Sequence, residues 1–182
     1  GDPMNVNTDM GPMASVMQYE KAHEKVDLAV EQGARLLTGG GRPEAFDKGY
    51  YYSPTVFDRM SADMELMNEE AFSPVVPIQR VKSLQEAIEL SNATKYGLGC
   101  SIYTKDLELA MTAADDIKAG SFWINNPLSE NNAASFGGMK MSGQGRELGI
   151  EGLNEFREPK HILIDYRQEK KDWWFPYGSD GE

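Results

Sequence analysis

Residues 74–125 have the sequence PVVPIQRVKSLQEAIELSNATKYGLGCSIYTKDLELAMTAADDIKAGSFWIN, in which strand-like and helix-like hydrophobic spacing alternate. Strands are predicted at 74–81, 99–104 and 121–125. The helix after the first strand opens with Ser83 and Glu86, which have the spacing of a capping box, and a second helix starts near Leu107. Strands that alternate with helices predict an α/β fold with a parallel sheet and crossover helices.

The sequence on either side of this stretch adds further elements. A helix is predicted from Ser15 to Gly33, with an apolar face of Val16, Tyr19, His23, Val26 and Val30. We also expect a short strand at 35–38, a short helix at 146–155 and a final strand at His161–Tyr166. Another strand candidate, 50–58, contains Pro54, and because proline has no N–H to donate we expect an edge or interrupted strand there.

Composition and charge narrow the class of protein. The chain has 182 residues, 40% of them hydrophobic, and a net charge of -11, which is typical of a soluble globular protein. Binding to nucleic acid or to anionic membranes draws on clustered Lys and Arg, so neither partner is expected. The sequence lacks the apolar run of about 18 residues that a membrane span needs, and we expect a cytoplasmic protein.

Cysteine and histidine are scarce. The single cysteine, Cys100, cannot form an internal disulfide, and two distant histidines make no zinc pattern, so neither a metal nor a disulfide framework is expected. Cys100 lies within a strand candidate with no His, Lys or helix start nearby to lower its pKa. We therefore interpret Cys100 as a structural residue and not as a nucleophile.

Two segments outside the regular elements have unusual composition. Two adjacent carboxylates, Glu69 and Glu70, stand beside Phe72, and such a group could bind sugar hydroxyls while the ring packs on a base; a solvated acidic turn is the alternative. Residues 135–149, SFGGMKMSGQGRELG, contain glycines at 143, 145 and 149 but follow no clear strand, so a tight backbone is favoured over a phosphate site.

Three motifs together resemble the NAD(P)-dependent aldehyde dehydrogenases: EEAFSPV at 69–75, NATKYGL at 92–98 and FGGMKMSGQGRE at 136–147. The resemblance covers nearly the whole chain. It implies a three-part enzyme more than twice this length, of which residues 1–158 would be part of the catalytic α/β domain. Residues 159–182 would be a C-terminal oligomerisation strand and an aromatic tail. A homo-oligomer, dimer or tetramer, is therefore expected.

The resemblance also implies roles for individual residues. Glu70 resembles the carboxylate that accepts hydrogen bonds from the nicotinamide ribose of NAD or NADP, and Phe72 resembles the ring beside the nicotinamide. Phe136 resembles the aromatic residue that lines the aldehyde tunnel. Glu147 resembles a buried second carboxylate near the general base, where a proton relay and a structural pairing with a basic group are both open.

Some positions differ from the family pattern. Residues 125–134 correspond to the variable substrate-entrance segment, and Leu128 and Glu130 stand there where an apolar or aromatic pair is common, so a polar or cationic aldehyde is expected. Ser73 stands where the family usually has Gly, and Ser135 where it often has Pro. Either change could shift the cofactor contact or the tunnel wall.

The family's chemistry implies residues that this chain does not contain. A cysteine thiolate attacks the aldehyde and a glutamate activates the hydrolytic water, and we expect both, with the cofactor domain, in segments upstream of Gly1. The 182 residues alone are therefore expected to be inactive. The alternatives are a non-enzymatic, crystallin-like structural descendant and an interaction module that self-associates through exposed sheet edges.

Overall fold

Helices and strands alternate along much of the chain in a computed structural model, which describes residues 1–129, 131–171 and 173. The helices are α1 (Val16–Glu31), α2 (Glu65–Asn68), α3 (Leu84–Ala93), α4 (Leu107–Asp116) and α5 (Gly149–Asn154), with a 3-10 turn at Lys140–Ser142. The strands are β1 (Arg35–Thr38), β2 (Thr55–Asp58), β3 (Val75–Pro77), β4 (Gly99–Ile102) and β5 (Ser121–Ile124). Over these residues no helix has the length and apolar character needed to cross a membrane.

The strands form two small sheets, and the α/β class is confirmed. One sheet has the order β1-β2-β3 and the other pairs β4 with β5. The β2–β3 and β4–β5 pairs are parallel, with α2 and α4 in their connections, but β1 and β2 are antiparallel. The prediction of a parallel sheet is therefore wrong for β1. An antiparallel partner needs no crossover helix, and residues 39–54 between these strands contain none.

The position of Pro54 decides between the two alternatives predicted for residues 50–58, an edge strand and an interrupted one, in favour of the interrupted strand. Strand β2 begins at Thr55, one residue after the proline, and it is the central strand of its sheet and not an edge. The missing proline N–H is therefore never required by the ladder. The first ladder donor is Thr55 N, which donates to Pro74 O at 2.9 Å.

Helix α3 starts as its sequence predicts. The Ser83 Oγ accepts a hydrogen bond from Glu86 N at 3.1 Å, and the Glu86 side chain accepts from Lys82 N at 2.7 Å. The capping interaction is confirmed, although the returning bond goes to the residue before the cap. Its effect is to satisfy backbone donors that the first helical turn leaves unpaired.

The buried face of α1 differs from the predicted one. Ala22, Val26 and Ala29 are buried, whereas Val16 and Val30 are about half exposed. The buried face therefore includes two small alanine side chains, which a search for large apolar residues does not detect. They join a core whose other buried members are Ala34, Tyr52, Phe57, Met60, Met64, Leu66 and Val75.

The C-terminal segment shows the largest differences from prediction. Helix α5 is shorter than the predicted 146–155, because Arg146 and Glu147 are occupied in a loop that pairs with Phe136. Residues 161–166 form no strand in the structure. A strand needs a partner for its backbone groups, and none of the described strands lies beside this segment. Of the aromatic tail, residues 174–177 lie outside the described part of the chain.

Candidate functional site

A surface cleft of about 740 Å3 lies between α1 and the segment 69–72. Both predicted cofactor residues, Glu70 and Phe72, line it, and α1 contributes Gln18 and Lys21 from the opposite wall. Glu70 and the Lys21 ammonium group are exposed. The cleft thus combines a carboxylate, an aromatic ring and a cation, the groups that recognise hydroxyls, flat rings and phosphates.

Phe72 has an unusual backbone conformation that presents its ring to the cleft. Its φ is 46°, in the left-handed region that non-glycine residues rarely adopt, and its side chain is 74% exposed. Gln18 Nε2 donates a hydrogen bond to Phe72 O at 3.0 Å. A strained backbone persists where neighbouring contacts hold it, so α1 helps to fix an apolar ring in a solvent-facing position.

Ser73, one of the two departures from the family pattern, is also placed here. Its hydroxyl is buried and finds no hydrogen-bond partner among the described residues. The Tyr52 hydroxyl is also buried without a hydrogen-bond partner among the described residues. Burial raises the pKa of Tyr52 to about 12, and the nearby Tyr19 and Asp27 raise it further by smaller amounts. Ser73 does not line the cleft, so the serine adds a buried polar group next to Phe72 in the chain and no contact to the cleft.

The adjacent carboxylates Glu69 and Glu70 have different surroundings. Lys95 Nζ donates to Glu69 Oε1 at 2.5 Å and the Tyr96 hydroxyl donates to Glu69 Oε2 at 3.5 Å. The hydrogen bond from Lys95 lowers the pKa of Glu69. Glu70 instead lines the cleft and a neighbouring cavity of about 580 Å3. The first carboxylate is thus internally paired, and the second is open to a ligand.

The second and third motifs are locked together by hydrogen bonds. Lys140 Nζ donates to Asn92 O and Thr94 O, both at 3.0 Å, at the C-terminal end of α3. Met139 N donates to Gly97 O at 2.8 Å, and Gly97 N donates to Ser142 Oγ at 3.0 Å. With the Lys95–Glu69 pair, these contacts connect all three motifs that carry the family resemblance.

Backbone segments approach each other closely where these motifs cross, which explains their glycines. A Cβ atom on Gly120 would lie 1.6 Å from Gly137 O, and one on Gly97 would lie 2.4 Å from Lys118 O. Gly145 and Gly149 have φ values of 42° and 58°. The prediction of a tight backbone in the glycine-rich segment is confirmed.

Phe136 and Glu147, predicted to serve the tunnel and the chemistry, are brought together by their backbones. Phe136 N donates to Glu147 O and Glu147 N donates to Phe136 O, both at 2.8 Å. Phe136 is half-buried and lines a cavity of about 310 Å3 with Trp123, Ser135 and Leu148. This cavity is separate from the one that holds Glu70 and Phe72.

The resemblance implies a buried position for Glu147 near the general base of the whole enzyme. In this chain the Glu147 side chain is exposed, and its burial beside that base stays a prediction. The neighbouring basic group, Arg146, donates instead to Gly138 O at 3.0 Å and Gly145 O at 2.7 Å. These two hydrogen bonds stabilise the glycine-rich turn. Arg146 is half-buried and Glu147 is exposed, so the two adjacent side chains have different environments.

The entrance segment is only partly described. Leu128 is 83% exposed and has a φ of 58°. Trp123 Nε1 donates to Ser129 O at 2.8 Å, and Ser129 lines the cavity of Phe136. Glu130, the other predicted entrance residue, lies outside the described residues. Leu128 does not itself line the Phe136 cavity, and its entrance role stays a prediction.

Cys100 lies half-buried in β4, and burial raises the pKa of its thiol. A raised pKa reduces the thiolate fraction at neutral pH, and the thiolate is the nucleophilic form. The structural interpretation of this cysteine is therefore supported.

Gln18 and Lys21 are cleft residues that sequence reasoning missed. They stand three positions apart, so they share a face of α1. The spacing of Gln18 and Lys21 could have been read from the sequence. It does not predict that this face of α1 lies against a segment about 50 residues later in the chain.

Comparison with known proteins identifies the family of this chain. The sequence profile described as Aldehyde dehydrogenase family matches residues 1–162. Betaine aldehyde dehydrogenase of Bacillus subtilis (strain 168) is 37% identical over 176 residues, which are 96% of this chain and 36% of that protein. The chain belongs to the aldehyde dehydrogenase family.

Solved structures give the same result. The crystal structure of an NAD-dependent aldehyde dehydrogenase from Sinorhizobium meliloti has a TM-score of 0.89 and 38% identity, and the match covers 96% of this chain and 34% of that one. A double mutant of betaine aldehyde dehydrogenase from Staphylococcus aureus, in complex with NAD+, has a TM-score of 0.87 and 37% identity over 93% of this chain and 35% of that one. The chain spans about a third of the length of these proteins.

Proposed function

We propose that this chain is the C-terminal part of an NAD- or NADP-dependent enzyme that oxidises an aldehyde to a carboxylic acid. The observation that carries the proposal is the cleft in which Glu70 and Phe72 meet Lys21. Two further observations support the proposal: the chain belongs to the aldehyde dehydrogenase family, and a relative of similar fold binds NAD+. The division into a partial catalytic domain, 1–158, and a C-terminal element, 159–182, belongs to the same proposal.

The groups in the cleft suit a nicotinamide dinucleotide. The Glu70 carboxylate can accept hydrogen bonds from ribose hydroxyls, the exposed Phe72 ring can pack on a flat heterocycle, and the Lys21 ammonium can offset phosphate charge. When bound, the dinucleotide supplies the acceptor for the hydride of the aldehyde. The work of these side chains is to bind and orient it.

The Phe136 cavity is proposed as part of the aldehyde path. Phe136, Trp123 and Leu148 give it apolar walls that would exclude water. Leu128 and Glu130 would select substrates at its entrance, and the exposed Glu147 carboxylate would hold or pass a proton at Oε if another segment of the enzyme covers it. The bond-making cysteine and general base would come from the rest of the enzyme.

The experiment that tests this function compares the full-length protein with the 182-residue chain. Each is mixed with NAD or NADP and a panel of aldehydes, and reduced cofactor is followed by its absorbance. We expect turnover by the full-length protein and none by the chain alone above a heat-treated control. Failure of the full-length protein with every aldehyde would refute the proposed activity, and turnover by the chain alone would refute its dependence on other segments.

The Glu70→Ala variant tests the cofactor role directly. Loss of a charge-assisted hydrogen bond removes about 1.5–3 kcal/mol, so the Kd of the full-length protein for NAD or NADP should rise by about tenfold to a hundredfold. Calorimetric titration measures the change. The matched control is Glu44→Ala, which removes an exposed carboxylate outside the cleft; equal losses in both variants would contradict the role.

The exposed C-terminal segment supports the proposal of a homo-oligomer. Five large apolar side chains are mostly exposed there: Phe156, Ile162, Leu163, Ile164 and Tyr166. Exposed apolar stretches of this kind mark interaction sites, and an extended segment can add to a sheet edge. We propose that residues 161–166 form an intersubunit strand in the assembled protein.

The Leu163→Asp variant is expected to shift the full-length protein toward smaller assemblies, because a buried carboxylate without a partner is strongly disfavoured. Sedimentation velocity over a range of concentrations gives the distribution of species. Leu128→Asp is the matched control, since Leu128 is equally exposed but lies in the entrance segment. An unchanged distribution for Leu163→Asp would count against the strand proposal.

A further inference from the structure

The cofactor cleft is crowded with acidic side chains. Its lining includes Glu24, Glu65 and Glu70, against the two cations Lys21 and Lys25. Lys25 Nζ lies 3.5 Å from Glu65 Oε1, so one of these cations is already paired. A dinucleotide brings a negatively charged diphosphate, and each further uncompensated carboxylate near the cleft opposes its binding.

Glu69 would be such a carboxylate if it were free. It is the immediate neighbour of Glu70, and Lys95 neutralises it through the 2.5 Å contact described above. The Tyr96 hydroxyl also donates to Glu69, and Lys95 Nζ lies 5.3 Å from the centre of the Tyr96 ring. The Glu69 carboxylate is therefore held on two sides by residues of the second motif.

The Lys95–Glu69 ion pair also fixes the orientation of the neighbouring Glu70 side chain. Successive side chains of an extended segment point to opposite sides, and Glu69 has extended backbone angles, φ -115° and ψ 129°. Anchoring Glu69 toward Lys95 therefore keeps the Glu70 side chain apart from the Lys95–Glu69 contact, and Glu70 lines the cleft. Tyr96 lines the cavity of about 580 Å3 that also reaches Glu70.

We propose that Lys95 is a positioning residue for the cofactor site, which acts by neutralising and anchoring Glu69 so that Glu70 is the carboxylate offered to the dinucleotide. The proposal rests on the cofactor role proposed for Glu70. Lys95 need not touch the cofactor, because it acts through its neighbour. The hydrogen bond to Glu69 raises the pKa of Lys95, so the cation is present throughout the neutral range.

The test is a set of four full-length variants with NAD as the probe: Lys95→Met, Glu69→Gln, the double variant and Lys105→Met. Partly exposed ion pairs have modest energies, so we expect Lys95→Met to raise the Kd for NAD by about twofold to fivefold. The double variant should return to within about twofold of the wild type, because the unpaired carboxylate is gone. Lys105→Met, which removes an exposed lysine outside the cleft, should leave the Kd unchanged.

Two further readouts separate this role from a general loss of structure. The penalty of Lys95→Met should shrink as salt rises from about 0.05 M to about 0.5 M, since salt screens the repulsion. It should also appear in the KM for NAD with little change in kcat. An unaltered Kd in Lys95→Met, or a double variant as weak as Lys95→Met, would overturn the proposal. If the wild type binds no NAD, the proposed function fails instead, so the two failures are distinct.

Discussion

Replacing Gly120 with alanine is expected to destabilise the 182-residue chain by at least about 3 kcal/mol, at or beyond the upper end for an overpacked site. The added Cβ would lie 1.6 Å from Gly137 O and 2.7 Å from Gly137 C. These are backbone atoms, so no side-chain rotation can relieve the contact. The start of β5 and the glycine-rich segment must separate, and the walls of the Phe136 cavity must separate with them.

Urea unfolding followed by circular dichroism gives the free energy of unfolding for this comparison. Gly41→Ala is the matched control, because a Cβ at Gly41 would meet no atom within 4 Å. That variant should stay within about 0.5 kcal/mol of the wild type. A Gly120→Ala chain as stable as Gly41→Ala would show that the two segments do not pack as closely as described.

Replacing Phe57 with alanine is expected to lower the free energy of unfolding by about 3–5 kcal/mol, the range for truncating a buried phenylalanine. Phe57 lies on the central strand β2 and is 0% exposed. Its ring joins the core that α1 and β3 share with Tyr52 and Val75. The cavity left by the ring would therefore loosen the support of α1, which forms one wall of the cleft that Glu70 and Phe72 line.

Phe156→Ala makes the same chemical change at a site that is 92% exposed. In the isolated chain it should change the unfolding free energy by no more than about 0.5 kcal/mol. Thermal unfolding monitored by calorimetry compares the pair under one condition. A small effect at Phe57 would contradict the placement of the core, and a large one at Phe156 would reveal a contact that the described residues do not contain.

The fold was predictable where local signals were strong. Ser83 and Glu86 mark the start of α3, and the alternation of residues 74–125 predicts the strands and helices found there. The antiparallel orientation of β1 was not predictable, because it depends on the path of residues 39–54, which connect β1 to β2. The buried face of α1 was missed because Ala22 and Ala29 carry little hydrophobic signal, although both are almost fully buried.

The candidate site was predictable in its parts and not in its assembly. The family motifs point to Glu70, Phe72 and Phe136, and the structure places the first two in one cleft and the third in another cavity. The contribution of Lys21 depends on a contact between segments about 50 residues apart, which spacing alone does not reveal. The exposure of Glu147 depends on its backbone pairing with Phe136, a tertiary feature with no local signal.

The hydrogen bonds that tether residues 125–134, the predicted entrance segment, decide which of its positions can change. Trp123 Nε1 holds Ser129 O, and Gly149 N holds Asn132 O at 3.1 Å, so both tethers end on backbone carbonyls of the segment. These two tethers therefore need no particular side chain at Ser129 or Asn132, whereas Asn125 and Asn131 hold the loop through their own side chains. Substitutions at Leu128, Ser129 and Asn132 can therefore accumulate one at a time without breaking either backbone tether.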